Sequence, residues 1–367
     1  MQKIVDCHAH IFPSLWEACG FESPEQHALY MQRAMHLHGN QPVRSARDHR
    51  IVTEKHLWSA HDPSERGRAT GVNFRAGRFG RMEWEKDGED FYIQFLPPGM
   101  QDTASPAEFM ITQMDYASIE TAVLQNDHIY GNLAEHFAAA AERYPGRFIG
   151  LAQVDEAFAY RDDQLHLLED QLTRLRMKGM YFTVAGFFRN GYEIYYDHAA
   201  FDPLWARVKK AGIPVFWVFF GNSPTGTFAE EMARFLRFQE RQGGIPSVIV
   251  HGWPTAGLAG EDGRIVFPDW LTALMEQYPV YSEILYPISW GGRTDYPYVR
   301  AQDHIRQLYD RFGPDRLMWG SDMPNVERYC TYRQSLSYVS EYCGFFTEQD
   351  RDKIFRHNTL SLLGVDH

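Results

Sequence analysis

Ile4-Val5-Asp6-Cys7-His8-Ala9-His10-Ile11-Phe12 is the stretch from which the rest of the chain is read. The β-branched Ile4 and Val5 start a strand, and a period of two sets His8 and His10 on one face, with Cys7, Ala9 and Ile11 on the other. Two imidazoles on one rigid strand are half of a metal site, because neutral imidazole is a ligand for zinc and other first-row ions. Spacing alone leaves a second reading open. The chain has 16 histidines, and a His-x-His pair also arises by chance in such a sequence.

From Pro106 onward the sequence becomes regular. Apolar runs at 121–125, 148–154, 179–184, 213–220, 247–252, 280–285 and 317–322 read as strands. Amphipathic segments at 108–117, 133–144, 163–175, 203–211, 228–241, 270–277 and 300–312 read as the helices between them, and a terminal helical pair runs over 333–363. With the opening strand this makes eight strands. Strands of nearly continuous apolar character suit a parallel sheet buried on both faces, and eight strand–helix units suit a closed barrel. An open doubly wound sheet is the rival, but no G-x-G-x-x-G follows the first strand. The expected fold is therefore α/β, a (β/α)8 TIM barrel forming one domain over 1–367, with 13–105 as a long insertion or cap. Within that segment, Arg75-Ala-Gly-Arg78-Phe-Gly-Arg81 reads as a basic loop beside a hairpin of 82–84 and 91–95. It is either a solvated face or an anion-reading lid.

A length of 367 residues fits such a barrel with insertions. The formal net charge of −12 argues against a nucleic-acid surface and against docking on anionic lipid. No run approaches the roughly 20 apolar residues of a membrane span. Cys7, Cys19, Cys330 and Cys343 form no C-x-x-C, so they read as reduced thiols. With no signal-peptide pattern, a cytoplasmic protein is expected.

Barrel sites lie at the C-terminal ends of the strands. Those ends carry His8 and His10, the run Gln125-Asn126-Asp127-His128, then His251, Glu283 and Asp322. A single buried His or Asp usually makes a structural hydrogen bond. Several converging on one face of an apolar scaffold point to chemistry instead. Asp322 offers the hard anionic oxygen that balances a divalent ion, and it can also take a proton from bound water. Trp16, Trp217, Phe219 and Trp253 are either pocket walls or barrel filling.

These residues carry a resemblance. Val5-Asp-Cys-His8-Ala-His10-Ile-Phe-Pro13, Leu317-Met-Trp-Gly-Ser-Asp322-Met-Pro324 and Asn358-Thr-Leu-Ser-Leu-Leu-Gly364 resemble the amidohydrolase superfamily. More narrowly they are similar to its amidohydrolase-2 branch of aminocarboxymuconate-semialdehyde decarboxylase-like enzymes. Tyr144-Pro-Gly-Arg-Phe148, Asp202-Pro-Leu-Trp205 and Gly212-Ile-Pro-Val215 extend the likeness through the middle. The resemblance implies one divalent ion, zinc first and manganese as the alternative, held by His8, His10 and Asp322. It also implies His251 as the acid/base residue, and a homodimer. One position departs: the family's strand-five His falls on Val218, which cannot bind a metal. His251, Glu283, His128 or His198 would then complete the shell, or the ion would bind weakly or not at all.

The leading expectation is a lyase that removes CO2 from a small aromatic or unsaturated carboxylic acid, with Arg75, Arg78 or Arg81, Trp217 and Glu283 on the substrate side. The alternative keeps the fold but hydrolyses a lactone or amide, or hydrates, possibly without a metal. A third reading is a barrel that binds a ligand without turning it over.

Overall fold

A computed structural model describes residues 3–39, 41–220, 222–285 and 295–365. Eight parallel strands line up in sequence order: β1 Val5–Ala9, β2 Thr121–Leu124, β3 Phe148–Gly150 continued by Ala152–Gln153, β4 Met180–Thr183, β5 Val215–Val218, β6 Ser247–Ile249, β7 Val280–Ile284 and β8 Leu317–Trp319. They pair as one three-stranded set, β1 to the first part of β3, and one six-stranded set, the second part of β3 to β8. Leu151 joins the two sets within β3. On the other side a parallel bridge between Ala9 and Met323 brings β1 back to the loop after β8. The fold is the expected α/β barrel, and its strands fall where the apolar runs predict them.

The period of two sorts the strand residues. Val5, Val123, Leu151, Tyr181, Phe216, Val218, Val248 and Met318 form a buried cluster inside the ring, closed below by Leu360 and Leu363. Their neighbours Ala122, Ala152, Phe182, Trp217, Ile249 and Trp319 face outward into a larger core shared with the helices. The connecting helices start and stop on local chemistry. The helix Phe228–Gln242 opens on a Thr227–Glu230 capping box and ends at Gly243 in the left-handed conformation.

Between β1 and β2 lie the helix Pro24–Leu37, capped by Ser23 with Pro at its start, and a five-stranded antiparallel sheet built from Val43–Ser45, Ile51–Val52, Arg75–Ala76, Arg81–Lys86 and Glu89–Gln94. The expected hairpin is there, with Asp87 (φ 53°) and Gly88 (φ 76°) at its tip. The basic stretch is less a free loop than expected, because Arg75–Ala76 is the edge strand of this sheet. Among the described residues no helix is long and apolar enough to cross a membrane.

Candidate metal centre

β1 does not alternate cleanly. Its register against β2 shifts between Asp6 and Ala9, and Cys7 and His8 both come against the residue after β8, where a Cβ on Gly320 would sit 2.9 Å from Cys7 Sγ and from His8 Cβ. Glycine at 320 lets the two strands approach. The expected separation of Cys7 from the histidine face is corrected by this irregularity. Asp6, to which the sequence alone assigns no role, fixes the junction. Its buried carboxyl accepts the backbone N–H of His8 (3.0 Å) and of Ser321 (2.9 Å), the Ser321 hydroxyl (2.5 Å) and the Tyr332 hydroxyl (2.6 Å). Burial pushes this carboxyl up to about 6 against the pull of those hydrogen bonds.

Three donor atoms converge above the junction. His8 Nε2 lies 3.0 Å from His10 Nε2, and Asp322 Oδ1 lies 2.9 Å from His10 Nε2 and 3.5 Å from His8 Nε2. The other ring nitrogens settle the tautomers. His8 Nδ1–H donates to Glu283 Oε2 (2.8 Å), and His10 Nδ1–H donates to the Gln125 backbone carbonyl (2.9 Å). A carboxylate and a carbonyl only accept, so each Nδ1 carries a proton, and each Nε2 is turned toward the other and toward the Asp322 carboxylate. That arrangement calls for a cation at its centre, either a proton on His8 Nε2 or a metal ion. Zinc bonds of about 2.0–2.1 Å in a tetrahedron separate ligand atoms by about 3.3 Å, close to this triangle. The residues fit a divalent ion. Among the described residues this is the one group of three or more His, Cys, Asp or Glu side chains placed to hold a metal.

The surroundings are electrostatically biased toward a cation. Burial opposes charge on His8, yet Glu283 and Asp322 raise it to about 9. Burial would raise Asp322, but His10 and the other imidazoles hold it well below the usual carboxylate range. His251, its ring 5.2 Å from that of His8, is lowered to about 4 by burial and by His8. His251 (φ 68°) and Asp322 (φ 62°) both adopt the left-handed backbone that non-glycine residues avoid, and such strain collects at functional sites.

Several residues expected on the substrate side or in the metal shell lie elsewhere. Glu283 is fully buried and its carboxylate is spent on protein: Oε2 also accepts the His251 backbone N–H (2.7 Å), and Oε1 accepts Gln125 Nε2 (2.6 Å). It orients His8 and does not face a substrate. Trp217 is fully buried in an aromatic core with Phe182, Trp205 and Phe238, its Nε1–H donating to Ser247 Oγ. Strand alternation sends it outward because Phe216 and Val218 point inward. Trp253 is likewise buried, against Trp270. Arg75 and Arg78 line a separate cavity of about 650 Å³ with Trp16, Phe79 and Arg81, and that cavity includes none of His8, His10, His251 and Asp322. Arg75 pairs there with Glu83 at 3.1 Å. His128 pairs with Glu156 and His198 caps a short turn, so neither supplies the donor missing at Val218. Gln125, Tyr130 and Asn325 enter the site without a signal in the sequence beyond their closeness to strand ends.

The profile of a family described as amidohydrolase matches residues 5–365, the whole of the barrel. The chain belongs to the amidohydrolase family. No curated protein matches this amidohydrolase by sequence. Among solved structures it is similar to an uncharacterized TIM-barrel protein of Bordetella bronchiseptica, at 14% identity over 99% of this chain and 98% of the other, with a TM-score of 0.57. It is also similar to a probable 2-pyrone-4,6-dicarboxylic acid hydrolase of Acinetobacter baumannii, at 17% identity over 72% and 90% of the two chains, TM-score 0.52. A third likeness is to the 2,6-dihydroxybenzoate decarboxylase of Rhizobium, at 17% identity over 70% and 88%, TM-score 0.51. At these identities the likeness is one of fold, and it agrees with an amidohydrolase-superfamily enzyme.

Proposed function

We propose that this amidohydrolase is a metal-dependent decarboxylase acting on a small aromatic or unsaturated carboxylic acid. The observation that carries the reading is the convergence of His8 Nε2, His10 Nε2 and Asp322 Oδ1, with both Nδ1 atoms held by acceptors. A divalent ion bound there, zinc or alternatively manganese, supplies Lewis-acid polarisation of a carboxylate and an adjacent oxygen. His8, His10 and Asp322 would hold it. Loss of CO2 leaves an electron pair on carbon that a proton must satisfy, and the His251 ring, 5.2 Å from that of His8, supports a role in relaying that proton from solvent. The segment 13–105 is read as a cap: its Phe95 lies 6.2 Å from Tyr130, whose ring is 4.7 Å from His10. The four free cysteines, all buried, suit a cytoplasmic setting. The homodimer is part of the same reading and is checked by light scattering.

A second reading, hydrolysis of a lactone on the same residues, draws on the three-donor shell left by Val218. Elemental analysis and CO2 release from a panel of hydroxybenzoates and muconate semialdehydes test both. The proposal expects about one zinc or manganese per chain and CO2 evolution, both lost in Asp322→Ala. Turnover of lactones with no change in carbon count would replace it with the second reading.

A further inference from the structure

Tyr130 stands in the loop after β2 and is buried, its ring tilted over His10 at 4.7 Å between centroids and stacked on Phe12 at 4.6 Å. Its hydroxyl oxygen lies 2.8 Å from Asn325 Nδ2, and the same nitrogen lies 2.7 Å from Asp322 Oδ1. An ionised carboxylate only accepts, so the Asn325 atom facing Asp322 has to be the NH2 group, and the amide orientation follows. Tyr130 Oη is then an acceptor in its bond with Asn325. Its own proton points elsewhere, and among the described residues no acceptor takes it. Asn325 is itself buried, and its Oδ1 also has no partner among the described residues. A buried O–H donor with no acceptor among the described residues is costly unless something arrives to receive it.

We propose that Tyr130 donates a hydrogen bond from its hydroxyl to an oxygen of the ligand seated beside His10 and Asp322, with Asn325 as the positioning residue that fixes the direction of that hydrogen bond. The inference rests on the reading of His8, His10 and Asp322 as an ion-binding centre. The ligand oxygen it serves is anionic, a carboxylate or the oxyanion that forms next to it, because a neutral phenol in a buried site gives its strongest hydrogen bond to a charged acceptor. Asn325 holds the phenol by donating to it and leaves the phenolic proton for the ligand. The bond to Asp322 ties this orientation to the centre itself.

The test is calorimetric titration of 2-hydroxybenzoate into the full chain, as isolated and after loading with Co(II), for wild type, Tyr130→Phe and Asn325→Ala. Tyr130→Phe keeps the ring on His10 and Phe12, so Co(II) stoichiometry and its absorption spectrum before ligand is added should match wild type. Affinity for 2-hydroxybenzoate should fall about tenfold to a hundredfold in Tyr130→Phe, and by less in Asn325→Ala, where the phenol keeps its proton but loses its orientation. Equal affinity in wild type and Tyr130→Phe overturns the inference, as does failure of wild type to bind 2-hydroxybenzoate in either form. Equal affinity in wild type and Asn325→Ala overturns the positioning role. If wild type takes up no Co(II) yet binding still depends on Tyr130, the ion-binding reading falls and the donor role stands.

Discussion

Glu283→Gln is the perturbation the structure specifies most closely. The carboxylate receives three hydrogen bonds, from His8 Nδ1, the His251 backbone N–H and Gln125 Nε2, while the Gln125 amide also donates to the Cys7 carbonyl at 2.8 Å. A glutamine has one acceptor end. With its oxygen toward His8 and His251, its NH2 group meets the NH2 group of Gln125, which cannot turn over without setting its own oxygen against the Cys7 carbonyl. With its NH2 group toward His8, the imidazole loses its acceptor and moves its proton to Nε2, where a donor replaces the lone pair meant for the ion. Either way a buried group goes unpaired, at about 1–3 kcal/mol. Loss of a carboxylate behind a metal-binding histidine costs about tenfold to a hundredfold in affinity, or about 1.4–2.8 kcal/mol. Zinc affinity measured by competition with a chromophoric chelator should therefore fall by that factor, with the stoichiometry at saturation unchanged. An affinity within about threefold of wild type, less than about 0.7 kcal/mol on the same scale, would refute the assignment of Glu283 as the group that orients His8.

Val218→His adds an imidazole on the inward face at the end of β5, where the resemblance expects a ligand; tighter zinc binding by about tenfold or more is expected by the same competition assay, against an overpacking cost of about 1–3 kcal/mol in urea unfolding. Trp217→Ala should cost about 3–5 kcal/mol in urea unfolding, and a buried-core role predicts unchanged zinc stoichiometry and affinity for 2-hydroxybenzoate, which a substrate-contacting role would not. The buried His128, 3.1 Å from Glu156, gives a pH signature: burial alone would lower it, but Glu156 raises it to about 9. Since that lies above the ordinary value near 6.5, its contribution to stability is complete below about 6.5 and is lost as the pH rises through about 9. Unfolding midpoints of wild type should decline across that window and those of His128→Gln should decline less; parallel curves would mean that the pair contributes nothing to the pH dependence.

The sequence by itself determined the barrel, because its strands are short apolar runs whose period and punctuation are local properties of the chain. It also determined the three candidate ligands: His-x-His on the first strand and an Asp at the end of the last are recognisable wherever the intervening residues go, and closure of the ring brings the two ends together. What surrounds those ligands was decided by the tertiary structure. Whether Glu283 faces a substrate or backs a histidine depends on which side chains, His8 and Gln125 among them, come against β7 in the closed ring, which no local pattern encodes. Trp217 and Arg75 carried the right chemistry for a substrate site in the wrong place, one turned outward by strand alternation and the other drawn to Glu83 at the edge of the small sheet. Tyr130 and Asn325 were invisible for the opposite reason. Each is an ordinary loop residue in sequence, and they acquire a role only because loops 195 positions apart are folded onto one carboxylate, where the direction of a hydrogen bond decides which proton is left to give.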